Sequence, residues 1–440
     1  MTQTLTKYPR YEALFSALRP ARNDEPAWLA ELRAGGFKRF QLLGFPVERR
    51  GNEEWKYTNI KPIAEAAFEY PRGAGDAALA AITERLPFDS GMTRVVFVDG
   101  HFVEALSATA TEGVTVMPLS KAIQKHEAIV QKHLGQYARA SDGAFAALNA
   151  ALFADGAFVL ADNATRTPVH LMYATTTAGS MTYPRTLVVA GPTSELTLIE
   201  TYVSLTDGNH FTDAVTEIVL EDGARVDHYR LLLENDAAYQ VGQVRVSQGR
   251  DTHYGGLVYE TGGGLARLDM ETLFGDTGSY ADLRGLYITS GDQHIDNMIS
   301  IDHAKPHNTS RLIYKGILDG RSSAVFGGTV FVRPGADKTD SHQEDKNLLL
   351  SHEAEVDSKP ALEIYADDVK AGHGATAGAI TDEALFYLQS RGIDEFTAMQ
   401  LIVRGFASQI TDTVAVQSLR AWLEQHTLEA LPRFRAGGAG

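Results

Sequence analysis

The chain has 440 residues, 44% of them hydrophobic and 22% charged, which is enough apolar material for one large core with flanking subdomains or about two to three domains. A formal net charge of -16 with no basic stripe argues against a nucleic-acid partner, and no apolar run reaches the roughly 18 residues that cross a bilayer. There is no cysteine, so the chain forms no disulfide, carries no persulfide and offers no thiolate to iron; a soft metal centre must take its sulfur from another chain.

The first residues, MTQTLTKYPRYEALF, lack the uninterrupted apolar core of a secretory signal, which gives the expectation of a cytoplasmic protein. Residues 7–46 read as helical. Asn23 or Asp24 ahead of Pro26 suits a first turn, and Trp28, Leu29, Leu32, Phe37, Phe40 and Leu43 supply an apolar stripe that Gly44 to Pro46 stops. The block NEEWKYTNIKPI, from Asn52, mixes charge with Trp55 and Tyr57, as a loop docked on a core does. Arg94 to Val98 reads as a strand entering the hairpin-type turn Asp99-Gly100. Residues 119–137 read as a polar helix with His126 and His133 on one solvated face, seven apart and too distant to share a metal.

From Ala157 to Val369 short runs rich in β-branched and aromatic residues alternate with turn signals at Asp222-Gly223, Gly262 to Gly264, Asp276 to Gly278, Gly291-Asp292, Asp319-Gly320 and Pro334-Gly335. No amphipathic helix interrupts them, which excludes a doubly wound α/β fold. Pattern alone leaves sandwich, propeller and β-helix open, because no blade or solenoid repeat is strict.

The stretch Pro360 to Ile410 changes period twice, from a strand-like run through a glycine-rich turn to helical spacing. His373 lies between Gly372 and Gly374, two residues without a β-carbon, so its ring is open to close approach. Asp382 to Arg391 reads as a short helix with Gly392 at its C′ position. Phe396, Met399, Val403, Phe406 and Ile410 follow as the stripe of a second helix. Val416, Leu419 and Leu423 belong to a last helix begun by Thr411 or Asp412. Phe386, Tyr387 and Leu388 are more apolar than a free surface helix needs, which fits a local helical core or a docking face.

Other constellations carry less. Asp367 and Asp368 are adjacent, so on a strand they point to opposite faces and cannot converge as a glycosidase pair; this weakens a β-helical carbohydrate-active enzyme, the alternative function. Gly372, Gly374 and Gly378 have GxGxxxG spacing with no second parallel strand after the helix, so the dinucleotide fingerprint fails. There is no phosphate loop. His294, His303, His307, His342, His352 and His373 put six of the 14 histidines within a short span. Pro306 spoils a shared helical face for His303 and His307, and scattered turn and surface histidines are the plain reading, although a solenoid is able to stack some in a column.

The segments ADDVKAGHGATAG, LFYLQSRGI and RGF, with NEEWKYTNI at Asn52 to Ile60, FVDGHF at Phe97 to Phe102, LNAALFADGAFV at Leu148 to Val159 and NLLLS at Asn347 to Ser351, resemble the SufB/SufD family of iron-sulfur cluster assembly proteins over most of the chain. The resemblance implies a mainly β protein with a right-handed parallel β-helix core. It divides the chain into a mostly helical subdomain at 1–90, the β-helix at 91–375 with a helical insertion near 119–153, and a helical subdomain at 376–440. It further implies a non-enzymatic scaffold subunit of the SUF complex that contributes to cluster assembly and iron acquisition. Such a subunit pairs with SufB through the β-helix and binds the SufC ATPase through the C-terminal helices, where Phe386, Tyr387, Arg391 and Gly392 are the partner-binding candidates. A homodimer is the expectation for the isolated chain. His373 becomes a candidate metal ligand to a nascent iron-sulfur cluster shared transiently with SufB, with no cofactor held by the chain alone. Ala371 stands where many members carry cysteine, so sulfur ligation is expected from SufB.

Overall fold

In the computed structural model, which describes residues 8–48, 50, 52–74, 79–109, 112–165 and 167–431, successive strands from Arg185 onward alternate between two sheets. Sheet I ends in Arg225–Leu233, His253–Glu260, Tyr280–Thr289, Thr309–Leu318, Asp340–Leu349 and Lys370–Ala379; sheet II ends in Tyr239–Gln248, Leu265–Phe274, His294–His303, Ser323–Val332 and Glu355–Ile364. Neighbours within each of these runs pair parallel and in register, so the chain winds as a β-solenoid.

Side chains of a strand alternate between faces, and stacked strands place row-mates on the same face. Inward rows such as Val226, Tyr254 and Ala281 therefore line one continuous interior, joined from sheet II by Ile299, Ile301, Phe326 and Val330. The predicted turns fall between strands. At Asp319-Gly320 the glycine has φ 65, and a β-carbon there would meet backbone of Gly291 in the coil below at 2.9 Å, so close stacking requires a residue without one.

Helices lie outside the solenoid, most of them against its outer faces. These are α1 (Pro9–Leu18), α2 (Ala27–Leu43), α3 (Lys61–Glu65), α4 (Leu79–Arg85), α5 (Leu119–Lys125), α6 (Glu127–His133), α7 (Ala144–Leu152), α8 (Asp382–Gln389), α9 (Glu395–Thr411) and α10 (Gln417–Glu429). Phe37 and Phe40 of α2 and Leu148 of α7 join Val241 and Leu265 on the outside of sheet II. Val403 and Ile410 of α9 and Leu419 and Leu423 of α10 join Leu286, Ile288 and Ile317 on the outside of sheet I.

Four sequence expectations change. The glycine-rich turn is a strand, Lys370–Ala379, because Asp340–Leu349 offers it a complete ladder and glycine and alanine leave room for pairing. Asp367 and Asp368 lie in the bend before it, not on a strand. The polar helix at 119–137 breaks at His126. That ring stacks on Phe158, and His133 is buried with Nδ1 2.9 Å from the Tyr137 hydroxyl, so neither lies on a solvated face. The last helix starts at Gln417, since Thr411 closes α9 and Val414 is buried in the connection.

Candidate functional site at the open end of the solenoid

The strands Lys370–Ala379 and Glu355–Ile364 each have a ladder partner on one side only among the described residues. Their other edges present backbone donors and acceptors, the feature that lets a sheet accept another chain. Ile364 and Tyr365, 39% and 63% exposed, add apolar surface at this end.

His373 occupies the row of Gln343, Leu312 and Leu283, and the two leucines are buried interior residues. Its row therefore faces the lumen, at the last coil, where the residue itself is exposed. Ala371, Ala375, Ala377 and Ala379 are the other inward positions on this strand, and their small size leaves the imidazole as the one long polar group there. Gly372 and Gly374 point to the outer face, and a β-carbon on Gly374 would meet nothing within 4 Å. The flanking glycines thus clear the outer surface, while the lumen mouth is opened by alanines.

Behind His373 the mouth is polar. The Gln343 Nε2 lies 3.4 Å from His373 Nδ1 and 3.3 Å from the Ala361 carbonyl oxygen. Asp345 accepts a 2.7 Å hydrogen bond from Asn347 Nδ2, and Asn347 Oδ1 accepts from the Tyr287 hydroxyl. Burial pushes the Asp345 carboxyl up to about 6, against the lowering effect of its hydrogen bonds. Gln343 Oε1 and Asp345 Oδ1 are buried without a hydrogen-bond partner among the described residues.

The other histidines do not join this site. His294 bridges Thr58 at 3.0 Å and Ser323 at 2.7 Å; His303 is buried against Ser310 at 2.9 Å, and burial lowers it to about 4. His307 sits in a turn at φ 61, and His342 and His352 are exposed. No two of the six are row-mates, so the solenoid forms no histidine column. Among the described residues no group of three or more His, Asp or Glu converges as a metal site.

The four candidate docking residues lie beyond the solenoid. Thr381 caps α8, accepting from Ala384 N, and Gly392 ends the segment at φ 82. Phe386 and Tyr387 are 71% and 58% exposed, and the Arg391 guanidinium lies 5.1 Å from the Tyr387 ring. Phe396 and Leu401 of α9 are exposed as well. Far away along the chain, the block at Asn52 straps the outside of sheet II: Arg267 stacks on Trp55 at 4.0 Å and donates to the Glu54 carbonyl, and Lys359 of the last coil lies 4.0 Å from the Tyr57 ring. Sequence reading missed Gln343, Asp345 and Asn347, which stand one coil before His373, Ala375 and Ala377 with no fixed period in the sequence to mark the step.

A parallel solenoid clad by helices, with an imidazole on its open end and no thiolate of its own, defines a protein of the iron-sulfur cluster assembly class once its relatives are considered. The SUF-system SufBD core domain model matches residues 173–406, and the SufBD N-terminal region model matches residues 6–167. The chain belongs to the SufBD family. It is 32% identical over 417 residues to the iron-sulfur cluster assembly protein SufD of Escherichia coli, covering 91% of this chain and 92% of that one. A SufBD family protein of Synechocystis sp. is 29% identical with 91% of both chains covered, and SufD of Bacillus subtilis is 25% identical with 91% and 94% covered.

Proposed function

We propose that the chain is a non-enzymatic scaffold subunit of the cytoplasmic SUF machinery, which pairs with SufB through the open end of its solenoid and supports cluster assembly and iron acquisition. The observation that carries this reading is His373, exposed on the lumen-facing row of a terminal strand whose outer edge has no ladder partner among the described residues. A second solenoid laid along that edge gains main-chain hydrogen bonds and meets an imidazole at the seam. Imidazole is an established iron-sulfur ligand type, and with no cysteine here the thiolates come from the partner. The same edges offer a second copy of the chain a place to pair when SufB is absent.

The exposed aromatic face of α8, with Phe386, Tyr387, Arg391 and Gly392, is the surface we assign to SufC. The ATPase supplies the energy, and α9, packed on sheet I, carries its movement to the solenoid. Replacing His373 by Ala should leave the complex with SufB and SufC intact on gel filtration and lower reconstituted cluster yield by about tenfold or more. Full yield from an intact complex overturns the assignment.

A further inference from the structure

A neutral imidazole carries one proton, and only the nitrogen without it takes a metal. The neighbour that decides this for His373 is Gln343, which is 1% exposed and held inside the last coil. In the structure the Gln343 Nε2 lies 3.4 Å from His373 Nδ1, and an amide N–H directed there makes Nδ1 the acceptor and leaves the ring proton on Nε2. In that form neither nitrogen is free. Meanwhile Gln343 Oε1 is buried with no hydrogen-bond partner among the described residues.

A half-turn of the amide about its last torsion exchanges the two ends. The carbonyl oxygen then accepts from Nδ1–H, finds the partner it lacks, and leaves the lone pair of Nε2 free. The opposing cost is the 3.3 Å bond to the Ala361 carbonyl, whose oxygen then faces the Gln343 oxygen, while the amide N–H group takes the buried place that Oε1 held. Ligating imidazoles commonly donate their second N–H to an oxygen acceptor, which fixes the tautomer. We propose that Gln343 is a positioning residue that selects the tautomer of His373, holding it closed to a ligand with its N–H and opening it with its carbonyl. This rests on the reading of His373 as a cluster ligand.

The test is nitrogen NMR of the histidine rings in the full chain, in alkaline solution where imidazole is neutral, for the parent, Gln343→Glu and Gln343→Met. The carboxylate of Gln343→Glu accepts only, so the ring should invert from the Nε2–H to the Nδ1–H form. Gln343→Met, close to glutamine in shape, should release the ring to a mixture, and it decides the matter if a buried glutamate prevents folding. In the complex, Gln343→Glu should support cluster formation and Gln343→Met should lower it by about tenfold. The same tautomer ratio in the parent and the folded variants overturns the proposal. A shifted ratio together with full cluster yield from His373→Ala keeps the tautomer assignment and removes the ligand reading.

Discussion

Lys315 donates from Nζ to the main-chain oxygen of Phe406 at 3.0 Å and lies 4.1 Å from the centroid of the same residue's ring. Lys315 stands on the outer face of sheet I, 1% exposed beneath α9, and it also reaches Gln409 Oε1 at 2.5 Å. The C-terminal helices are thus tied to the solenoid by a covered ammonium as well as by apolar packing.

That ammonium should make the helix docking depend on pH. Burial, with Lys346 nearby, lowers the Lys315 pKa from 10.5 to about 8. Between those values the unfolded chain binds the proton more tightly than the native one, so this group's contribution to stability rises with pH from about 8 to 10.5. The parent should therefore gain in melting temperature relative to Lys315→Met as pH is raised through that window. A difference between the two proteins that does not change with pH contradicts the assignment.

The strap at Asn52 offers a larger effect. Arg267 and Asp296 form a buried ion pair, Thr58 donates to the same carboxylate, and the guanidinium stacks on Trp55. Asp296→Ala leaves Arg267 buried without its counter-charge and should cost about 3–5 kcal/mol in urea unfolding. The double variant Arg267→Met with Asp296→Leu should recover much of that loss, because it removes both charges. If the single and double variants are equally unstable, the pair does not explain the docking.

How far these relationships were legible depends on the length of the pattern behind them. The strands and turns between Ala157 and Val369 follow from local alternation and Gly-containing turns, and the C-terminal helices follow from their stripes. The rows do not, because successive row-mates lie 28 residues apart at Val226 and Tyr254, 27 at Tyr254 and Ala281, and 31 at Ser310 and Ser341, so no fixed period marks the coils. The same irregularity hid the step from Gln343 to His373 and the polar mouth with it. Lys370–Ala379 was misleading for a different reason. Its glycines and alanines have weak strand preference, and only the ladder from Asp340–Leu349 makes it a strand.

The face of α8 should behave as a surface that stability does not need. Phe386 and Tyr387 have no buried neighbours on their own helix, where every residue has some exposure. Changing both to Ser should alter stability by no more than about 0.5 kcal/mol each while weakening capture of SufC. Unfolding of the C-terminal segment in the double variant would show instead that these rings belong to a helical core. Unchanged SufC affinity in a folded double variant would place the docking surface elsewhere.

Asp345 provides the sharpest test of the polar mouth. Its carboxyl is 1% exposed, and burial raises it from 3.8 to about 6 in the folded chain. A raised carboxylate means that the native state holds the proton more tightly than the unfolded state. Its contribution therefore falls as pH rises from about 3.8 to 6, and the whole penalty persists above that. Asp345→Asn removes the charge while its amide oxygen can still accept from Asn347. The variant should be more stable than the parent at pH 8, by up to about 3 kcal/mol, and the gain should vanish near pH 4. A carboxylate with only part of its charge met by hydrogen bonds, kept where asparagine would be more stable, is what a mouth awaiting a cationic or hydrogen-donating partner requires. A variant less stable than the parent at pH 8 means that Asp345 is already satisfied within the chain, and the lumen mouth then has no unmet acceptor to offer.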